Sequence, residues 1–168
     1  FTFPVVELYR NVGFDFAQES FERVAAEFIA AYDARVQECR LQPAARGVLE
    51  ALAGRGVRQS ILSAYEQSRL EGMVAHLGLA RYFAHLVGQR DYYSAGKVAE
   101  GRRLLAALDC PPAEIVLIGD SLHDAEVAEA MGVRCLLIPS GHYTRQRLLA
   151  SGAAVLDALP DVLAYRFP

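Results

Sequence analysis

The segment Ile115-Val116-Leu117-Ile118-Gly119-Asp120-Ser121-Leu122-His123-Asp124 packs an apolar run, a glycine and two carboxylates into consecutive positions. Pro111 and Pro112 interrupt whatever precedes it. The run Ile115 to Ile118 therefore reads as a short buried strand with Gly119 as its exit. A strand that is apolar at every position suits a parallel sheet covered on both faces. Asp120 and Asp124 then fall in the loop and first turn leading to a helix around Ala125 to Met131. Two chemistries fit that placement. The carboxylates can hold a hard cation, since magnesium takes one or two carboxylates, waters and phosphate oxygens. Alternatively, Asp120 or Ser121 caps the helix and Asp124 favours its dipole.

Working outward, the same alternation repeats from Pro43 onward. A helix through Val48, Leu49 and Leu52 ends at Gly54 or Gly56 and is followed by a strand over Val57 to Leu62. A helix from Gln67 to Leu77 leads to the apolar run His85 to Gly88. A helix over Val98 to Leu108 precedes the strand at Ile115. After the helix ending at Met131 come a strand over Cys135 to Ile138, a helix near Arg145 to Ala150, and a last short strand at Val155 and Leu156. Strands separated by helices imply an α/β fold, a Rossmann-like parallel sheet with helices on both faces. Ligands in such sheets bind beyond the carboxyl ends of the strands.

Two more strand ends carry chemistry. Ser63 closes the run Ser60-Ile61-Leu62-Ser63-Ala64, where its hydroxyl and the N–H groups that follow, from Ala64 on, can grip phosphate oxygens. A turn or cap role is the plainer reading of a lone serine there. Lys97, in Tyr93-Ser94-Ala95-Gly96-Lys97 ahead of a helix, can neutralise a phosphate and fix a neighbouring carboxylate, although a single lysine usually lies in solvent.

The first 42 residues have another texture. Phe21, Val24, Ala25, Phe28, Ile29, Tyr32 and Val36 recur at the spacing of an amphipathic helix, with Ser20 or Asp15 to cap it. Phe1 to Val12 reads as a shorter helix stopped by Gly13. No β-strand is expected here, so the chain divides at about residues 1–42 and 43–168.

A strand-end serine, a lysine before a helix and Gly-Asp-x-x-x-Asp after a later strand, in that order, resemble the haloacid dehalogenase superfamily. The helical leader resembles the later part of the helical cap in its phosphoglycolate-phosphatase-like branch. Val98 departs from the proline that many members carry after the lysine. The resemblance implies a phosphatase: Ser63, Lys97, Asp120 and Asp124 as catalytic residues, Ser63, Ala64 and Lys97 on the substrate, and Asp120 and Asp124 on Mg2+. Its substrate would be a small phosphorylated metabolite. Phosphomutase-like relatives tend to show a Glu-Asp pair at the last motif and true dehalogenases lack its acids, so Gly119-Asp120 with Asp124 points to the phosphatases. His142, in Ser140-Gly141-His142, is a candidate for the pocket rim, His123 a helix-surface residue, and Tyr9, Arg10 and Tyr65 candidate substrate contacts.

The family's nucleophile sits in an Asp-x-Asp motif at the end of the central first strand, and no Asp-x-Asp occurs in these 168 residues. Gly13-Phe14-Asp15-Phe16-Ala17 imitates its start, but position 17 is alanine and the surroundings are helical. The resemblance thus implies a core lacking its first strand, completed by an upstream segment or another polypeptide, and a chain inactive by itself. Two rival readings remain: an inactive binding protein of the same fold, and a receiver-like signalling domain. The receiver reading fails on order, because its acids should come early and its lysine late.

Composition excludes other classes. The net charge of −3 and pI near 5.8 argue against nucleic acid as a partner. No apolar run reaches the roughly 18 residues of a membrane span. Cys39, Cys110 and Cys135 form neither a disulfide framework nor a zinc pattern, which fits a reducing cytoplasm. Oligomeric state leaves no signature.

Overall fold

A computed structural model of the chain describes residues 5–89 and 96–167. It divides into two compact units, Phe1–Arg40 and Leu41–Pro168.

The first unit is helical. Helix α1 spans Val5–Asn11 and α2 spans Phe21–Arg35, followed by a 3-10 turn over Val36–Glu38. Ser20 caps α2, its Oγ accepting from the Arg23 N–H at 3.2 Å. Asp15 instead ties a turn, accepting from the Ala17 N–H at 3.0 Å and the Gln18 side chain at 2.9 Å. The unit is consolidated by aromatic edges: the Tyr9 ring lies 5.3 Å from Phe14 and 6.0 Å from Phe21. Tyr9 is thereby a packing residue, and Arg10 pairs with Glu7.

The second unit alternates as expected. In chain order it runs α3 (Ala45–Gly54), β1 (Ser60–Glu66), α4 (Gln67–His76), β2 (His85–Gln89), α5 (Gly96–Ala107), β3 (Val116–Gly119), α6 (Leu122–Met131), β4 (Arg134–Leu137), α7 (Arg145–Leu149) and β5 (Ala154–Val155). Every strand pair is parallel, yet the described strands form two sheets, β1-β2 and β3-β4-β5. β1 and β3 each keep one edge without a strand partner among the described residues. Their burial shows the same break: no residue of β1 or β3 is fully buried and Ile118 is 38% exposed, whereas Leu136 and Leu137 of β4 are sealed.

Helices hold the two sheets in one body. On α3, Val48 and Leu52 pack with Ile138 and Val162 beside the second sheet. Leu49 of the same helix packs with Leu70, Val74 and Ile61 beside the first. Helix α5 touches β1, β2 and α6. Where it crosses, Gly101 lies so close to Met131 Sδ and Leu62 Cδ2 that a Cβ would have no room.

Two expected boundaries move. β1 begins at Ser60, not Val57, because Gly56 turns the chain at φ +76° and Val57 is spent on the core as a loop residue. Lys97 lies inside the first turn of α5, not in a loop before it. Tyr93 to Ala95 lie outside the described residues.

Candidate active site

The carboxyl end of β3 is where the chemistry gathers. Ser121 caps α6 in a reciprocal box: its Oγ accepts from the Asp124 N–H at 3.1 Å. Asp124 answers with Oδ2, accepting from the backbone N–H groups of Asp120 and Ser121 at 3.0 Å each and from Ser121 Oγ at 2.7 Å. Its other oxygen, Oδ1, accepts a charge-assisted hydrogen bond from Lys97 Nζ. Only 3% of Asp124 is exposed. Burial pushes its carboxyl up, but the Lys97 ammonium and the hydrogen bonds from Lys97, Ser121 and Asp120 outweigh that and hold it below the ordinary carboxylate range.

Asp120 behaves oppositely. Burial, then the negative charge of Asp124, raises its pKa, and Lys97 and His142 offset this only in part. A hydrogen bond from its own backbone works in the same lowering direction. An anion kept half-buried and next to another anion is an unfavourable group until a cation joins it. Asp120 is therefore a side chain that could hold a hard metal ion. Both Asp124 oxygens accept hydrogen bonds, which tie Lys97 to the loop.

Glycines make the room. A Cβ on Gly119 would fall 2.5 Å from Asp124 Oδ2, and one on Gly141 would fall 2.7 Å from Asp120 Cγ. Below the pair, burial and the charge of Asp124 push the half-buried Cys135 thiol up to about 11.

Ser63 stands where the β1-β2 ladder loses register, between Leu62 and Glu66. Its Oγ accepts from the Tyr65 N–H at 3.1 Å, forming a tight turn with Ala64 exposed at its tip. Gln67 braces that turn: its amide accepts from Gly88 N–H at 2.6 Å and donates to the Leu86 carbonyl at 3.0 Å. Gly88 is pressed against it, a Cβ there falling 2.6 Å from the Tyr65 carbonyl oxygen. The structure thus joins Lys97 to Asp124 directly and sets Asp120 beside them, while Ser63 is engaged within its own turn. His123 pairs with Glu126 at 2.9 Å on the outer side of α6.

Ser121, Gln67, Gly88 and Gly141 complete the site without having been singled out for it in the sequence. The cap spacing of Ser121 and Asp124 was a usable signal for the first; the others depend on contacts between distant segments.

Comparisons with known proteins show the family. The family model of the haloacid dehalogenase-like hydrolases matches residues 3–138. The chain belongs to that family. A phosphoglycolate phosphatase of Rhodospirillum rubrum is 32% identical over 132 residues, covering 75% of this chain and 54% of that protein. Phosphoglycolate phosphatase 1 of Pseudomonas aeruginosa is 27% identical over 150 residues, covering 87% and 54%. The chain thus spans about half the length of these curated relatives. Among solved structures, a predicted phosphatase from Clostridium acetobutylicum superposes with a TM-score of 0.81 at 18% identity, over 95% of this chain and 74% of that one, a likeness of fold. Among the described residues no helix is long and apolar enough to cross a membrane.

Proposed function

We propose that residues 1–168 form the cation- and phosphate-binding part of a magnesium-dependent phosphatase acting on a small phosphorylated metabolite. The buried Lys97–Asp124 pair beside the half-buried Asp120 carboxylate is the observation that carries this reading. The attacking carboxylate would come from a segment outside these residues, seated between the open edges of β1 and β3; it would displace the substrate's alcohol from phosphorus to form an aspartyl-phosphate, which water then hydrolyses to inorganic phosphate and the free carboxylate. Three facts support that division: the absence of Asp-x-Asp, the split sheet, and the half-length match to the curated relatives.

In this reading each described residue has one task. Asp120 holds the magnesium, which when bound screens the phosphate from the attacking carboxylate. Among the described residues no three His, Cys, Asp or Glu side chains gather as a metal cluster, so the remaining donors would be water, phosphate and the outside segment. Lys97 neutralises phosphate charge as it shifts in the transition state, and Asp124 keeps its ammonium in place. Ser63 and the N–H groups of its turn bind equatorial oxygens.

Phosphoglycolate is the first substrate to assay, because the curated relatives carry that name. The test is release of inorganic phosphate from phosphoglycolate and p-nitrophenyl phosphate by the complete protein, with and without Mg2+. We expect magnesium-dependent release that falls by about 100-fold or more in Asp120→Asn. Release indifferent to magnesium and to Asp120 would overturn the reading. Magnesium and phosphate binding without turnover would instead favour the inactive, binding-only member of the family.

A further inference from the structure

Most glycines in this fold have space around them. An added Cβ at Gly13, Gly47, Gly54, Gly56, Gly72, Gly78, Gly132 or Gly152 would meet nothing within 4 Å. Gly141 differs: its missing side chain is where Asp120 sits. An ideal Cβ there would overlap Asp120 Oδ2 outright, lie 2.7 Å from Cγ and 3.4 Å from Cβ, and meet no other atom among its nearest neighbours. We propose that Gly141, in the loop after β4, is a positioning residue that seats the Asp120 carboxylate.

The loop cannot simply step aside. On one side the Ser140 N–H bonds back to the Ile138 carbonyl at 2.8 Å, and the Ser140 carbonyl accepts from Gln42 Nε2 at 3.2 Å. On the other, Tyr143 is buried and Thr144 caps α7. Behind it, Ile138 belongs to the core cluster of Val48, Leu52 and Val162. Asp120 is held just as firmly at its backbone, since its N–H bonds Asp124 Oδ2 and Gly119 before it abuts the Asp124 carboxylate. A side chain at position 141 is thus set against a carboxylate whose main chain is fixed, and the carboxylate rotates away. Backbone torsion does not explain the glycine, because position 141 lies outside the positive-φ set. The functional consequence rests on the reading of Asp120 as the cation-binding group; the steric relation stands apart from it.

A double-substitution cycle in the complete protein tests the relation without metal or activity. Gly141→Ala is made in the natural background and again with Asp120→Ala, and thermal unfolding is followed with chelator present. In the natural background we expect Tm to fall by about 3–10 °C, the range for an overpacked contact in a chain of this size. With Asp120→Ala, the nearest atom would be the residual Cβ at 3.4 Å, and the fall shrinks to about 1–2 °C. Equal falls in both backgrounds, or none in either, would overturn the proposal. Mn2+ binding by electron paramagnetic resonance adds the functional arm. If Asp120 holds the cation, Gly141→Ala weakens Mn2+ binding by about 10-fold or more. Unchanged Mn2+ affinity in that variant would refute Gly141 as the residue that aims Asp120 at the metal. A natural protein that binds no Mn2+, with the Tm cycle intact, would remove the cation reading and leave the seating role in place.

Discussion

Lys97→Met is the sharpest probe of the site, because it removes one charge and little volume. Lys97 and Asp124 side chains are 15% and 5% exposed, so the pair is desolvated. Breaking such a pair by deleting one partner typically costs about 3–5 kcal/mol. Here the stranded carboxylate keeps donors from Ser121 Oγ and two backbone N–H groups, which places the loss at the lower end, about 3 kcal/mol. At roughly 2–4 °C per kcal/mol for this chain length, Tm should drop by about 6–12 °C at pH 7. The pH dependence makes the attribution specific. A carboxyl held below its ordinary value contributes stability above its unfolded pKa of about 3.9, and loses it as pH falls through the depressed folded pKa. The gap between natural protein and Lys97→Met should therefore be full near neutrality and close as pH drops below that range. Thermal melts from pH 7 to pH 3 read this directly. A gap that persists unchanged to pH 3, or no gap at pH 7, would refute the Lys97–Asp124 pairing as the source of stability.

Two further outcomes follow from the geometry. Asp120→Asn should raise Tm by a few degrees at pH 7 without metal, since a raised folded pKa means that the ionised form opposes folding. That advantage should vanish as pH falls through the folded pKa into the acid range, and added Mg2+ should stabilise the natural protein but not the variant, as melts with and without metal would reveal. Gln67→Leu removes the amide's bonds to Leu86 and Gly88 beside the Ser63 turn, along with one to Glu71, and should weaken inhibition by inorganic phosphate by about 10-fold while leaving the magnesium concentration for half-activation unchanged. A shift in both constants would instead mark general damage.

How much of this was readable in advance depends on whether the cause is local. The Ile115 run and the Gly119-Asp120 exit were legible because burial and turn chemistry there act within a few residues. The start of β1 was not: Val57 has the composition of a strand residue but is used by the core from a loop, while Glu66 is strand despite its charge. Hydrogen bonding to β2 decided that, and it is a long-range fact. Lys97 was found as a residue but placed ahead of the helix, whereas α5 opens two residues earlier than expected, at Gly96. Asp124 was read as a metal ligand and as a helix residue. In the folded loop its oxygens accept from the cap and from Lys97, contacts that only the fold brings together. Gly141 left no trace in its neighbourhood, because what makes it necessary lies on another strand end.

The reciprocal cap at Ser121 and Asp124 has a consequence for how this protein tolerates change. The carboxylate that starts α6 is the carboxylate that holds Lys97, one oxygen for each, so the region has no spare part that can be retuned separately. Replacing Asp124 to alter chemistry would also unfasten a helix whose Val127 and Ala128 lie at the centre of the packing. A random library selected only for solubility would therefore retain this corner almost unaltered, whether or not any member had ever met a substrate.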